Sequence, residues 1–354
     1  MITDSSPKRI IFLDYLRVFA FMSVLIGHKF YQNIVDLTET LHAPHITQQY
    51  LINIFLSMFM GGGAGVIVFF MISGYIILHV LQSESPIKFL IKRVFRIYPL
   101  LIFAIFIEML LVKGPVHILT MLQQMSLLGY FFKTPLALAG VEWTLRIEIL
   151  FYFLMFLLSF SFVIKKKNYL LLMFFTLFTF TLYYNAPFPT IGWDKAYLSM
   201  YFPFLFLGST LYMYENKTIN IYALSSFVII VFYLCFKLTE KYHTNWLQTN
   251  FILVGFLIFL GFWALRNKDY IITTAIDKII IKISLLTYSI YLFHNFLWSY
   301  LENFLQTFGI HSKIYILTLL IVWCYIVYKF IELPMHKLGK KIATEHIYNN
   351  VQEK

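Results

Sequence analysis

The stretch from Leu13 to Phe30, LDYLRVFAFMSVLIGHKF, is apolar enough for a bilayer yet carries Asp14, Arg17 and His28. A crossing helix needs about 20 predominantly apolar residues. Ionisable groups inside such a span are costly and point by default to function. On a helix, Arg17 and His28 are eleven positions apart, so they differ by about 20° in azimuth and about 16 Å in height. They share one face. Asp14 precedes Arg17 by three positions and lies within about 60° of it, so an ion pair would offset the burial of the guanidinium. The bland alternative has Asp14 and Arg17 neutralising each other near the cytoplasmic rim, with His28 at the outer interface.

The rest of the chain has the same character. Of its 354 residues, 60% are hydrophobic and 20% aromatic, with a mean hydropathy of +0.75. A soluble domain of this length needs far less apolar surface for its core. The net charge of +11 sits in short basic clusters between apolar runs, where bases act as topology signals rather than as a nucleic-acid footprint. Cys235 and Cys324 lie inside apolar stretches without metal-ligand spacing, and the histidines form no metal-binding pattern. No cleavage site follows the first apolar run, which begins after Lys8 and Arg9 and is expected to remain as the first span.

Scanning for spans predicts an all-α polytopic transmembrane bundle of about ten helices, near 10–30, 55–80, 97–113, 143–164, 169–185, 198–214, 220–236, 248–265, 284–305 and 313–331. Segment 117–132 is short and polar at His117, Gln123 and Gln124, and is read as interfacial or re-entrant. Both termini are expected in the cytoplasm, which places roughly nineteen Lys and Arg inside and about seven outside. One membrane domain is expected over about 1–341, with a short tail over 342–354. The run GGGAG at 61–65 reads as a break that allows close helix approach.

Six motifs then occur in order: LDYLR with His28 eleven residues after Arg17, GVIVFFMISGYII (65–77), KRVFRIYP (92–99), EWTLRIEILFY (142–152), TYSIYLFH (287–294) and IELP (331–334). Together they resemble the acyltransferase-3 family of integral-membrane acyltransferases over nearly the whole chain. Thr144 stands where the family usually has serine, and Arg146 where a small or polar residue is common; the threonine keeps the hydroxyl.

The resemblance implies transfer of an acyl group, commonly acetyl, from cytoplasmic acyl-CoA to a hydroxyl of an extracytoplasmic glycan, with no permanently bound cofactor. The expected setting is a bacterial inner membrane, with the donor, a glycan or lipid-linked sugar and membrane lipids as partners. His28 would act as general base or carry the acyl group, since imidazole titrates near neutrality. Arg17 would orient the donor or offset negative charge below it. Lys92, Arg93 and Arg96, beside Pro99, suit the first turn of the third helix and would bind the donor phosphates; ordinary topology signalling is the bland reading. Glu148 is expected near the height of His28, orienting the imidazole or accepting from the sugar, unless it merely forms an ion pair with Arg146 or another helix. Trp143 would be a stacking platform or an interfacial anchor. Ser73 and Tyr75 would line the cavity, with Gly74 permitting close packing, and Tyr291 and His294 would bind substrate or hydrogen-bond between helices. Glu108 has no role in this reading. A proton-coupled carrier or glycan exporter is the rival, yet no second broken helix matches the 61–65 break.

Overall fold

The computed structural model describes residues 9–40, 45–111, 117–161, 163–188, 192–247, 249–266 and 274–352. Every regular element among them is helical. They include α1 (Ile11–Lys29), α2 (Gly63–Leu81), α3 (Pro86–Leu111), α4 (Trp143–Ser159), α5 (Asn168–Tyr184), α6 (Tyr197–Glu215), α7 (Ile221–Tyr242), α8 (Phe251–Leu265), α9 (Thr274–Phe293), α10 (Phe296–Gln306), α11 (Lys313–Val327) and α12 (Leu333–Gln352). Among the described residues, five segments are long and apolar enough to cross a membrane: α1, Met60–Leu81, α3, α7 and Lys313–Glu345; α5 and α8 are shorter apolar helices. The chain is an integral membrane protein.

Several boundaries differ from the sequence reading, each for a local reason. The third helix begins at Pro86, not near residue 97, because proline suits a first helical turn. Pro99 therefore lies inside it, and Lys92, Arg93 and Arg96 lie between the second and third turns, away from any free amide end. Segment 117–132 forms two helices, Ile118–Met125 and Gly129–Phe132. At about 1.5 Å per residue neither can cross a bilayer. The span expected over 284–305 is broken at His294–Asn295 into α9 and α10. Beyond α11 the helix does not stop at Pro334 but widens into a π turn, Tyr328–Glu332, and continues as α12. Pro334 has no N–H for the carbonyl of Phe330, and the wide turn sits where that ladder bond is lost.

Two compact units emerge. The first takes Met1–Phe69 with Asn250–Thr287, and the second takes Phe70–Thr249 with Tyr288–Lys354. In the first, α1 packs against the glycine-rich turn and α8. In the second, α6 is the central helix: all but three of its nineteen residues are buried. A helix that is apolar all round belongs in a core. Its aromatic rings supply much of that core, with Phe206 stacked on Phe175 at 4.2 Å and edge-on to Phe151 at 6.1 Å. Cys235 and Cys324 are both buried as packing residues.

Within the second unit α2 and α6 touch backbone to backbone. A Cβ on Gly74 would lie 1.7 Å from the Leu205 carbonyl oxygen, and one on Gly208 2.0 Å from that of Met71. The Ser209 hydroxyl donates to the Gly74 carbonyl at 2.9 Å across the same contact. Small residues let membrane helices approach this way, and the gain is dispersion plus interhelical hydrogen bonding. A methyl cannot be absorbed there, because the obstacle is backbone. Gly74→Ala is expected to lose about 1–3 kcal/mol as an overpacking change. Gly261→Ala, where nothing lies within 4 Å, is expected to be neutral or stabilising; thermal unfolding of the two variants in detergent checks the difference.

Candidate active site

In the first unit, the end of α1 is wrapped by the turn Met60–Gly62. A Cβ on Gly27 would meet the Phe59 carbonyl oxygen at 2.2 Å, and one on Gly62, at φ +71°, would meet Val24 Cα at 2.7 Å. Only glycine fits at both. The Ser23 hydroxyl donates to the Met58 carbonyl at 2.5 Å and accepts from the Gly65 amide at 3.1 Å, fastening the turn to α1. His28 follows Gly27, is exposed on its unit, and hydrogen-bonds to the Gly61 backbone. The glycine-rich run thus shapes the seat of the histidine.

At the other end of α1, Asp14 is completely buried and accepts from three groups. Arg17 donates at 2.9 Å, Arg9 twice, at 2.6 and 2.9 Å, and the Ser284 hydroxyl at 2.8 Å. The expected Asp14–Arg17 pair is present, with a second arginine that the sequence reading missed. Arg9 stood just outside the scanned span, and Ser284 is 270 residues away with no local signal.

In the second unit, Lys92 is paired with Glu84, and Arg93 lies over the rings of Phe89 and Tyr152, at 5.6 and 5.5 Å from their centroids. The Glu148 carboxylate accepts from Ser73 and Tyr152, both at 2.5 Å, and stands within electrostatic reach of Arg93. α12 packs along α3 through Gly339, whose Cβ would meet that of Phe95 at 2.4 Å. This brings His336 within electrostatic reach of Lys92, Arg93 and Arg96, a neighbour that the IELP motif, four residues earlier in its core, did not reveal.

The segment entering α4 is held from several sides. Glu108 accepts from the amides of Leu138 and Ala139 at 2.7 and 3.0 Å, and these two residues and Gly140 all have positive φ. Consecutive amides turned to one side make an anion seat, so Glu108 stabilises a left-handed turn. Asn295 donates to the Ala139 carbonyl at 2.8 Å, and the Tyr291 hydroxyl, 2.5 Å from Thr144 Oγ1, donates to that of Val141 at 2.6 Å. Thr144 thus uses the hydroxyl it shares with serine. His294 is buried, with Nδ1 2.7 Å from its own Tyr291 carbonyl. Tyr75 donates to Glu215 at 2.9 Å. Arg146 pairs with Glu142, one turn back, and donates to the carbonyls of Thr134 and Pro135, both at 3.0 Å. The alternative pairing with Glu148 is not made, since residues two positions apart on a helix face different ways. Trp143 is buried among Phe70, Tyr197 and Tyr201, with Tyr197 at 4.7 Å.

The family model for an acyltransferase domain, acyltransferase-3, matches residues 10–330. The chain belongs to the acyltransferase-3 family. The match begins just before α1 and ends inside the π turn, so both ends of α1 and the α3–α4 group fall within the acyltransferase domain. No curated protein and no solved structure matches the chain. As a member of this family the protein is a membrane acyltransferase.

Proposed function

We propose that the protein transfers an acyl group, most simply acetyl, from cytoplasmic acyl-CoA to a hydroxyl of an extracytoplasmic glycan, in a bacterial inner membrane with both termini inside. Membership of the acyltransferase-3 family over nearly the whole chain carries this reading. His28 is the base. A hydrogen bond from one ring nitrogen to a backbone carbonyl settles the tautomer and leaves the other nitrogen to accept a proton. His28 takes the proton of the acceptor hydroxyl, the oxygen attacks the thioester carbonyl, and the C–S bond breaks. The CoA thiolate then takes the proton back, leaving an ester and free CoA.

Arg93 and Arg96 are assigned to the donor phosphates, with Lys92 adding positive potential and Glu148 balancing the deeper end. A concentration of cations on one helix is unfavourable alone and favourable around a phosphate. Arg17, held by Asp14, would position the donor's acyl arm. Mass spectrometry of surface glycans from cells with and without the gene tests the proposal: a difference of one acyl unit is expected, and identical glycans would refute the glycan acceptor.

A further inference from the structure

Where α5 and α7 begin, the second unit gathers lysines that none of these roles uses. Lys165, Lys166 and Lys167 run from the short helix Val163–Lys166 to the start of α5, and all three are exposed. Gln82, just past the end of α2, donates to the Ile164 carbonyl at 3.4 Å and ties the run to the bundle. Lys217, also exposed, lies in the turn between α6 and α7. The Asn220 amide donates to the Tyr169 hydroxyl at 3.2 Å, so that turn is held against the first turn of α5. Lys217 is three residues from Asn220 and Lys166 three from Tyr169, so at most about 11 Å of backbone separates either lysine from the joined residues. Among the described residues no carboxylate pairs with Lys165, Lys167 or Lys217.

Topology signalling accounts for a basic run beside a span. It does not account for Lys217. After α6 the Thr218 amide donates back to the Met213 carbonyl at 3.0 Å, and the Lys217 amide to that of Tyr214 at 2.9 Å. This is the helix closure whose left-handed residue is usually glycine and sometimes asparagine. Here that residue is Lys217, at φ +57°. A Cβ makes the conformation costly, and Asn216, which would suit it, stands one position too early. A side chain kept on an unfavourable backbone points to a function for that side chain.

The surface that continues from the lysines is apolar. α5 has no charged residue and α7 none before Lys237. Tyr169, Met173 and Leu177 are exposed along one face of α5, and Tyr222, Ile229 and Tyr233 along one face of α7, which packs against it. The tyrosines nearest the lysines, Tyr169 and Tyr222, suit the level of lipid headgroups. A ligand that satisfies both parts has an anionic head for the lysines and hydrocarbon chains for the helix faces, which is the chemistry of an acidic phospholipid. We propose that Lys165, Lys166, Lys167 and Lys217 hold the phosphate of such a lipid, with its acyl chains along the outer faces of α5 and α7. Inorganic phosphate shares the head chemistry and lacks the chains.

The test uses the full chain in detergent, titrated separately with phosphatidylglycerol, phosphatidylcholine and inorganic phosphate, with apparent affinity read from the rise in unfolding temperature. Wild type is expected to favour phosphatidylglycerol over phosphatidylcholine by roughly tenfold or more, and not to respond to phosphate at matching concentrations. Without lipid, Lys217→Asn is expected to unfold no earlier than wild type, because asparagine suits the left-handed turn. The same variant is expected to bind phosphatidylglycerol about fivefold more weakly, the share of one lysine at an anionic surface. Lys165→Gln with Lys167→Gln is expected to lose about 25-fold; should that variant fail to insert, Lys217→Asn decides alone. Unchanged phosphatidylglycerol affinity in Lys217→Asn, or equal affinity of the wild type for the two lipids, would overturn the site. A response that inorganic phosphate reproduces would overturn it too, leaving a free-anion site.

Discussion

His28→Ala is expected to lower acyl transfer by about 10²–10⁴-fold, the range supplied by a positioned general base, with expression and membrane insertion unchanged. The histidine is exposed on its unit and is not part of a packed core, so its removal opens no cavity. What fixes it is backbone: Gly27 beneath it, the turn at Gly61, and the Ser23 bonds behind. His28→Gln keeps a hydrogen-bonding group of similar reach but no base, and is expected to be as inactive. Transfer assays on purified protein with acetyl-CoA and un-acylated polysaccharide read the effect. Near-normal acylation in either variant would remove His28 from the chemistry.

The double variant Arg93→Ala with Arg96→Ala should weaken acyl-CoA binding by about 3 kcal/mol, roughly a hundredfold, as expected for losing charge-assisted phosphate contacts. His28→Ala should leave that affinity in place. Since Arg93 also lies over the rings of Phe89 and Tyr152, part of the loss is packing. Arg93→Lys separates the two: it keeps the charge and loses the planar fork, so an intermediate affinity is expected. Calorimetric titration with acetyl-CoA checks both variants, and unchanged affinity in the double variant would overturn the donor assignment.

Much of the fold was legible because hydrophobic length is a strong signal in a membrane chain. The first span and those at 169–185 and 198–214 agree with α1, α5 and α6 within two residues at each end. Boundaries went astray where a charged or kinked helix continues past its apolar part, as at Lys88 and Lys92 in α3 and beyond Pro334 into α12. Hydropathy marks the lipid-facing length of a helix, whereas its hydrogen-bond ladder runs on. In the candidate site, motif residues such as Thr144 and Tyr291 proved to be joined. Partners distant in the chain were invisible: Glu108 with the 138–139 amides, Ser289 with Glu332, and Asp14 with Ser284. No periodicity records a contact of that kind.

The Asp14 network has a consequence for how the chain is made. Ser284 lies 270 residues downstream of Asp14, so it does not yet exist when the first helix leaves the ribosome. A lone carboxylate at that stage would resist entry into lipid. Arg9 and Arg17 flank it five residues before and three after, and both hold it in the finished fold. The helix therefore brings its own counter-ions and can be integrated at once, while the serine arrives late, with α9, as the last ligand of a site already electrically settled.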